Sequence, residues 1–381
     1  MPFTPAAVLG RRSSAFLALS LLATLLVGGP GSAPAAAEVS SSTTQGVTSS
    51  DRSPSASPRA RFRKVSSARV RFDLVNTNDS SVICMPGPDG EEYRVRGTLV
   101  APRAVLRRRQ VLNTVNVLVH DAGTGGWSFN LKGNPTYDYA SNLAAKGHTS
   151  LVLDRLGYDR SPLADGTDTC LGAQVHLLHQ VVQHLRAGKY DFLGSRSGAS
   201  SPHAFHVVLQ GHGTGATIAQ LEAAHFDDVA GLVLLAPATT NPSQLALETV
   251  RAQGETCLNA GFAAYGANAA AYRKLLFRTA PSAVQKKAVQ LRNPTPCGDV
   301  SSLPSALAAT TLGGGLGDMN VEVPVLQLLA GADARTNGGG ASITSTEKIV
   351  RRTIKGAGST LMLEKSAPKS QRIVTRWLDR L

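Results

Sequence analysis

The sequence predicts an α/β chain, with a mostly parallel central sheet, flanking helices and a helical insertion late in the order. Three observations predict it. Short apolar runs alternate with segments of helical spacing between residues 115 and 235, the order of a parallel sheet covered on both faces. Two alternating segments, 69–74 and 93–101, flank a Pro- and Gly-rich turn at 86–90, as in a hairpin that starts a sheet with antiparallel strands. A further apolar run, 323–329, arrives only after a long stretch rich in Ala, Leu and Lys.

The 381 residues suffice for one α/β domain preceded by an export segment. Arg11 and Arg12 stand before an apolar run, 15–27, which leads through small residues to Ala37. That order predicts a secretory signal over 1–37, cleaved near Ala37, by the Sec or the twin-arginine route. The run is shorter than the roughly 20 residues of a membrane span. No other stretch is as apolar, so no transmembrane segment is expected. Residues 38–67 are rich in Ser, Pro and Arg and predict a flexible linker.

Within a core of 68–240, strands are expected at 115–119, 150–153, 205–209 and 230–235, and helices at 139–146, 173–186 and 214–224. Gly147 closes the first of these helices. The segment 241–316 keeps helical spacing without a strand of comparable strength. An insertion at that point sits over the carboxyl ends of the strands, where ligands bind in open α/β sheets, and it is expected to be a lid. Residues 317–381 return to the core with the strand 323–329 and a closing helix, 370–381.

Export bears on the cysteines. Cys84, Cys170, Cys257 and Cys297 are an even set in an oxidising compartment, so two disulfides are expected, and four cysteines admit three pairings. Cys257 with Cys297 is favoured because both fall in the inserted segment, which leaves Cys84 with Cys170. The chain has no C-x-x-C pair to mark a zinc site. His176 and His179 share a helix face, but no carboxylate pattern accompanies them in the sequence, and no metal or cofactor is expected. The net charge of +13 falls to +11 once Arg11 and Arg12 leave with the signal. The basic residues gather at Arg59, Arg61, Arg63, Lys64, Arg69 and Arg71 and again at Arg107 to Arg109, with no aromatic pattern between them to stack bases. A solvated surface is expected there, not a specific nucleic-acid site.

The segment 205–219, F-H-V-V-L-Q-G-H-G-T-G-A-T-I-A, reads as a strand, a sharp turn and a helix start. In a G-x-S-x-G elbow that geometry lifts a serine above the sheet. Here Gly211, Gly213 and Gly215 keep the frame, and Gly213 stands where the serine belongs. Three more segments accompany it: V-N-V-L-V-H-D-A-G-T-G-G-W at 115–127, L-V-L-D-R-L-G-Y-D-R-S at 151–161 after a helix at 140–148, and V-P-V-L-Q-L-L-A-G-A-D at 323–333 with G-A-G-S-T-L-M-L-E at 356–364.

In this order the four segments resemble the α/β-hydrolase fold family, over residues 70–381. The resemblance implies a triad of nucleophile, acid and histidine in that chain order. It puts Gly213 at the nucleophile position, Asp333 at the acid position and Ser359 at the histidine position. All nine histidines lie at or before His225, so the C-terminal base is missing altogether. It also implies an oxyanion hole made by the Thr214 N–H and one N–H from the Asp121–Ala122 loop, with Trp127 as a ligand-binding candidate. His120 is a candidate substitute acid or base, and His212 is expected to pack into a loop.

An attacking hydroxyl needs a base, and the base an orienting partner. Loss of such members lowers turnover by about a million-fold. The sequence therefore predicts a secreted relative of the serine hydrolases and esterases that does not hydrolyse, and that binds a small apolar or ester-like molecule or a protein partner. The alternative is an enzyme of altered mechanism, a cyclase, lyase or isomerase using the retained oxyanion hole, or a weak hydrolase.

Overall fold

Alternating polar and apolar residues start the fold. Val65–Val75 (β1) pairs antiparallel with Glu92–Pro102 (β2), Phe72 opposite Val95 and Val70 opposite Gly97. The computed structural model describes residues 64–108, 111–311, 320–345 and 347–381. The expected signal and the linker as far as residue 63 lie outside them, as does Arg109. β1 begins at Val65, within the stretch expected to be linker, because Ala68 and Val70 already turn inward to the core.

After Arg103–Arg108 (α1), strands and helices alternate: Leu112–Val119 (β3), Tyr139–Lys146 (α2), Thr149–Asp154 (β4), Leu171–Ala187 (α3), Asp191–Phe192 (β5), Ala204–His212 (β6), Thr214–Phe226 (α4) and Gly231–Leu235 (β7). α2 ends at Gly147, which is left-handed at φ 113°. The insertion then supplies Gln244–Cys257 (α5), Phe262–Ala263 (β8), Ala269–Leu276 (α6), Ser282–Leu291 (α7), Thr295–Pro296 (β9) and Cys297–Thr311 (α8). Asn320–Val321 (β10), Val325–Ala330 (β11), Thr344–Ser345 (β12), Ile349–Ile354 (β13) and Ala367–Leu378 (α9) close the chain.

The nine-stranded sheet has the order β13-β11-β7-β6-β3-β4-β2-β1-β5. β13 to β4 in that order are parallel, and the other pairings are antiparallel. Both faces are buried, which is why the central strands read as continuous apolar runs. Val115, Val117 and Val119 of β3 pack with Val175 and Ile218 under α3 and α4. Leu118, between them, packs on the other side with Leu143 and Val374, under α2 and α9. Two disulfides fasten the periphery. Cys84–Cys170 joins the β1–β2 loop to the start of α3, and Cys257–Cys297 joins the last residue of α5 to the first of α8.

Candidate functional site

The carboxyl ends of β3, β6, β7 and β11 converge on one point. There β6 turns into α4 through Gly213, at φ 54° and ψ −117°, a conformation that strains any residue with a side chain. The first N–H groups of a helix have no partner within it, and Gly213 has no side chain to cap them. Asp121, just past β3, does so. Its Oδ1 accepts from the Thr214 N–H at 2.7 Å and from the Ala122 N–H at 2.8 Å.

These are the two donors expected to form an oxyanion hole. They do converge, but on a carboxylate of the chain itself. A Cβ added at Gly213 would lie 2.2 Å from Asp121 Cγ and Oδ2, so the absent side chain and the carboxylate claim the same volume. The expected hole open to a ligand is thereby corrected. The reason is electrostatic: aligned N–H groups at a helix start attract an anion, and Asp121 is within reach.

Arg335 completes the floor. Its Nη1 donates to Asp121 Oδ2 at 2.6 Å and its Nη2 to Asp333 Oδ2 at 2.8 Å. Nε donates to Asp333 Oδ1 at 3.0 Å, and Nη2 also reaches Ala236 O. Burial alone would raise the Asp121 carboxyl; Arg335 and the Thr214 N–H outweigh it and hold the group below the usual carboxylate range. Burial likewise opposes the Arg335 charge, and Asp333 and Asp121 hold it well above its ordinary value. Asp333, expected at the acid position, thus serves a guanidinium instead of an imidazole. No motif pointed to Arg335; its one trace in the sequence is a cation two residues past Asp333.

Ser359, expected at the histidine position, is fully buried with its Oγ donating to Leu276 O at 3.3 Å. Its carbonyl accepts from His212 Nε2 at 3.0 Å. His212 is packed in that loop, yet its Nε2 also comes within 4.0 Å of Asp121 Oδ2. Burial lowers the His212 pKa and keeps the ring neutral.

His120 does not face this floor. Its Nδ1 donates to Asp121 O at 2.9 Å and its Nε2 accepts from the Arg155 N–H at 3.3 Å. Burial, with Arg155 beside it, pushes the ring down to about 3. With both nitrogens committed to the backbone, the expected substitute acid or base is corrected to a packing residue. Trp127 is corrected too: it lines a separate cleft with Lys132 and Arg160.

Above the floor lies a cavity of about 440 Å³ that Asp121, Ala122, Gly213, Thr214 and Arg335 line from below. Its walls are mainly apolar, with Leu247 and Val250 from α5 and Val300, Leu303 and Leu307 from α8. One stretch of wall is polar. Gln253 Nε2, Thr295 Oγ1 and Asp299 Oδ1 are buried there without a hydrogen-bond partner. The Cys257–Cys297 bridge falls between the elements that carry them. Asp299 Oδ2 is engaged, accepting from Arg155 Nη1 and the Tyr158 hydroxyl.

The model described as the alpha/beta hydrolase family matches residues 117–369, more than half of the chain, and the chain belongs to that family. No curated protein matches the sequence. Among solved structures, it is similar to a soluble variant of monoglyceride lipase from Saccharomyces cerevisiae in complex with a substrate analog. That match is 14% identical, with a TM-score of 0.53, and covers 81% of this chain and 96% of the lipase. The monoacylglycerol lipase of Paleococcus ferrophilus is 16% identical with a TM-score of 0.50, covering 70% of this chain and 96% of its own. An esterase from Exiguobacterium antarcticum is 14% identical with a TM-score of 0.50, over 78% and 98%. At these identities the likeness is one of fold.

Proposed function

We propose that the protein is an exported α/β-hydrolase-fold binding protein that does not hydrolyse esters. Its ligand is a small, mostly apolar or ester-like molecule held in the cavity under the insertion, which acts as a lid. The observation that carries this reading is the Asp121 carboxylate on the Ala122 and Thr214 N–H groups. A tetrahedral intermediate would have to place its oxygen where that carboxylate already sits, beside a negative charge. Loss of a single oxyanion-hole donor costs about 10²–10³ in turnover; here both are taken, and Gly213 offers no nucleophile.

The cavity supports the ligand class. Apolar walls favour an apolar body, and each buried unpartnered polar atom costs about 1–3 kcal/mol. A hydroxyl that accepts from Gln253 and donates to Asp299 recovers part of that cost. The lipases and esterases that share the fold support an ester-like shape. Two disulfides support an oxidising compartment, and among the described residues no helix is long and apolar enough to cross a membrane. A changed reaction has less support, because neither a free oxyanion hole nor a free His120 is available to it.

The test pairs chemistry with binding. The purified protein is expected to give no burst with p-nitrophenyl butyrate and no labelling by a fluorophosphonate, while a fluorescent acyl-chain alcohol binds and is displaced by unlabelled monoacylglycerol. A covalent adduct within the cavity would end the proposal.

A further inference from the structure

A second cluster lies behind α4, and none of its members lines the cavity. His179 of α3, Glu222 of α4 and Asp228, just past α4, bring one ligand atom each within 4.8 Å of one another. His179 Nδ1 stands 3.0 Å from Asp228 Oδ2 and 3.8 Å from Glu222 Oε1. The carboxylates missing from the sequence around His179 are thus supplied by another helix and its following loop.

Glu222 is the unusual member. It is fully buried, and neither of its carboxyl oxygens has a hydrogen-bond partner. Burial, with Asp228 beside it, holds the Glu222 carboxyl well above the usual carboxylate range, and the carboxyl end of a helix, negative in its own right, makes an anion there less favourable still. With His179 Nδ1 3.0 Å from Asp228 Oδ2, the three groups gather around a common space.

We propose that His179, Glu222 and Asp228 bind a divalent transition-metal cation, zinc by the chemistry of its ligands. Zinc bonds of about 2.0–2.2 Å at tetrahedral angles set ligand atoms about 3.4 Å apart. The two histidine distances fall on either side of that value. The surroundings hold the ligands in place, as outer groups do at metal sites. Phe226 stacks on the His179 ring at 3.8 Å and 13°. Gln183 donates to the Asp228 carboxylate, and Arg186 to its carbonyl. The His179 and Asp228 side chains are 21% and 10% exposed, which leaves an entry path. Such an ion ties α3 to the far end of the helix that begins at the elbow.

The experiment uses tag-free protein stripped with EDTA, dialysed and titrated with zinc chloride. One equivalent is expected to bind and to raise the melting temperature. Glu222→Gln and His179→Ala, each checked for folding by circular dichroism, are expected to weaken zinc at least about 100-fold, the upper end of the effects seen for outer-shell changes. Because His179 lies at the half-open rim, His179→Ala decides the matter if Glu222→Gln fails to fold. Absence of zinc uptake by the wild type, or unchanged affinity in a folded variant, overturns the proposal. So does a rise in stability for Glu222→Gln without zinc uptake by the wild type, which would make the cluster a protonated carboxyl pair.

Discussion

The two ends of α4 each keep a carboxyl group out of water, by different means. At the amino end Asp121 has two backbone N–H groups and a guanidinium within 2.8 Å. At the carboxyl end both oxygens of Glu222 stand without a partner. The difference follows from the helix. Its start offers free N–H groups and a positive dipole end, which hold an anion together with Arg335. Its finish offers carbonyls, so an acid there keeps its proton or needs a cation brought from elsewhere. One helix thus adds its own donors to the cation at one end and none at the other.

The amino end is the easier to break. Arg335→Met leaves two buried carboxylates without their cation, and a loss of about 3–5 kcal/mol is expected in urea unfolding. A loss under about 1 kcal/mol would mean that the helix start alone holds Asp121. Gly213→Ser places a Cβ on the Asp121 carboxylate at a left-handed residue, and about 2–4 kcal/mol should be lost. Removing the carboxylate as well, with Asp121→Ala, should recover part of that loss. A double-mutant cycle with less than about 0.5 kcal/mol of coupling would show that the two do not share a volume.

The smallest effect concerns pH. His120 is held neutral, its pKa pushed down to about 3 from an ordinary 6.5. The unfolded chain takes up this proton first as pH falls, so the folded state loses stability between pH 6.5 and 3. From 6.5 to 5 the loss is roughly 1–2 kcal/mol. The difference between wild type and His120→Asn isolates it, and equal pH slopes for the two would refute it.

Much of the sheet was legible because its strands are buried on both faces and its helices carry clear caps. α2 and its Gly147 stop stand out for that reason. β13 was missed because it is an edge strand, with Arg351 and Arg352 exposed in the middle of I-V-R-R-T-I. Charges blunt such edges and hide the alternation. Gly213 was legible because an elbow has a fixed spacing. The role of Asp121 was not, since it meets Thr214 and Arg335 across 93 and 214 residues, and no local pattern encodes that. The grouping of Glu222 and Asp228 with His179 is hidden in the same way, by helices that only packing brings together.

The interlock of Gly213 with Asp121 also bears on how such a chain can change over time. A substitution that places serine at the elbow collides with the aspartate, and shortening the aspartate first leaves Arg335 Nη1 and two N–H groups without their acceptor. Each single step toward ester chemistry is therefore uphill. A chain that carries both residues is held to the pair, since a change at either one alone costs stability.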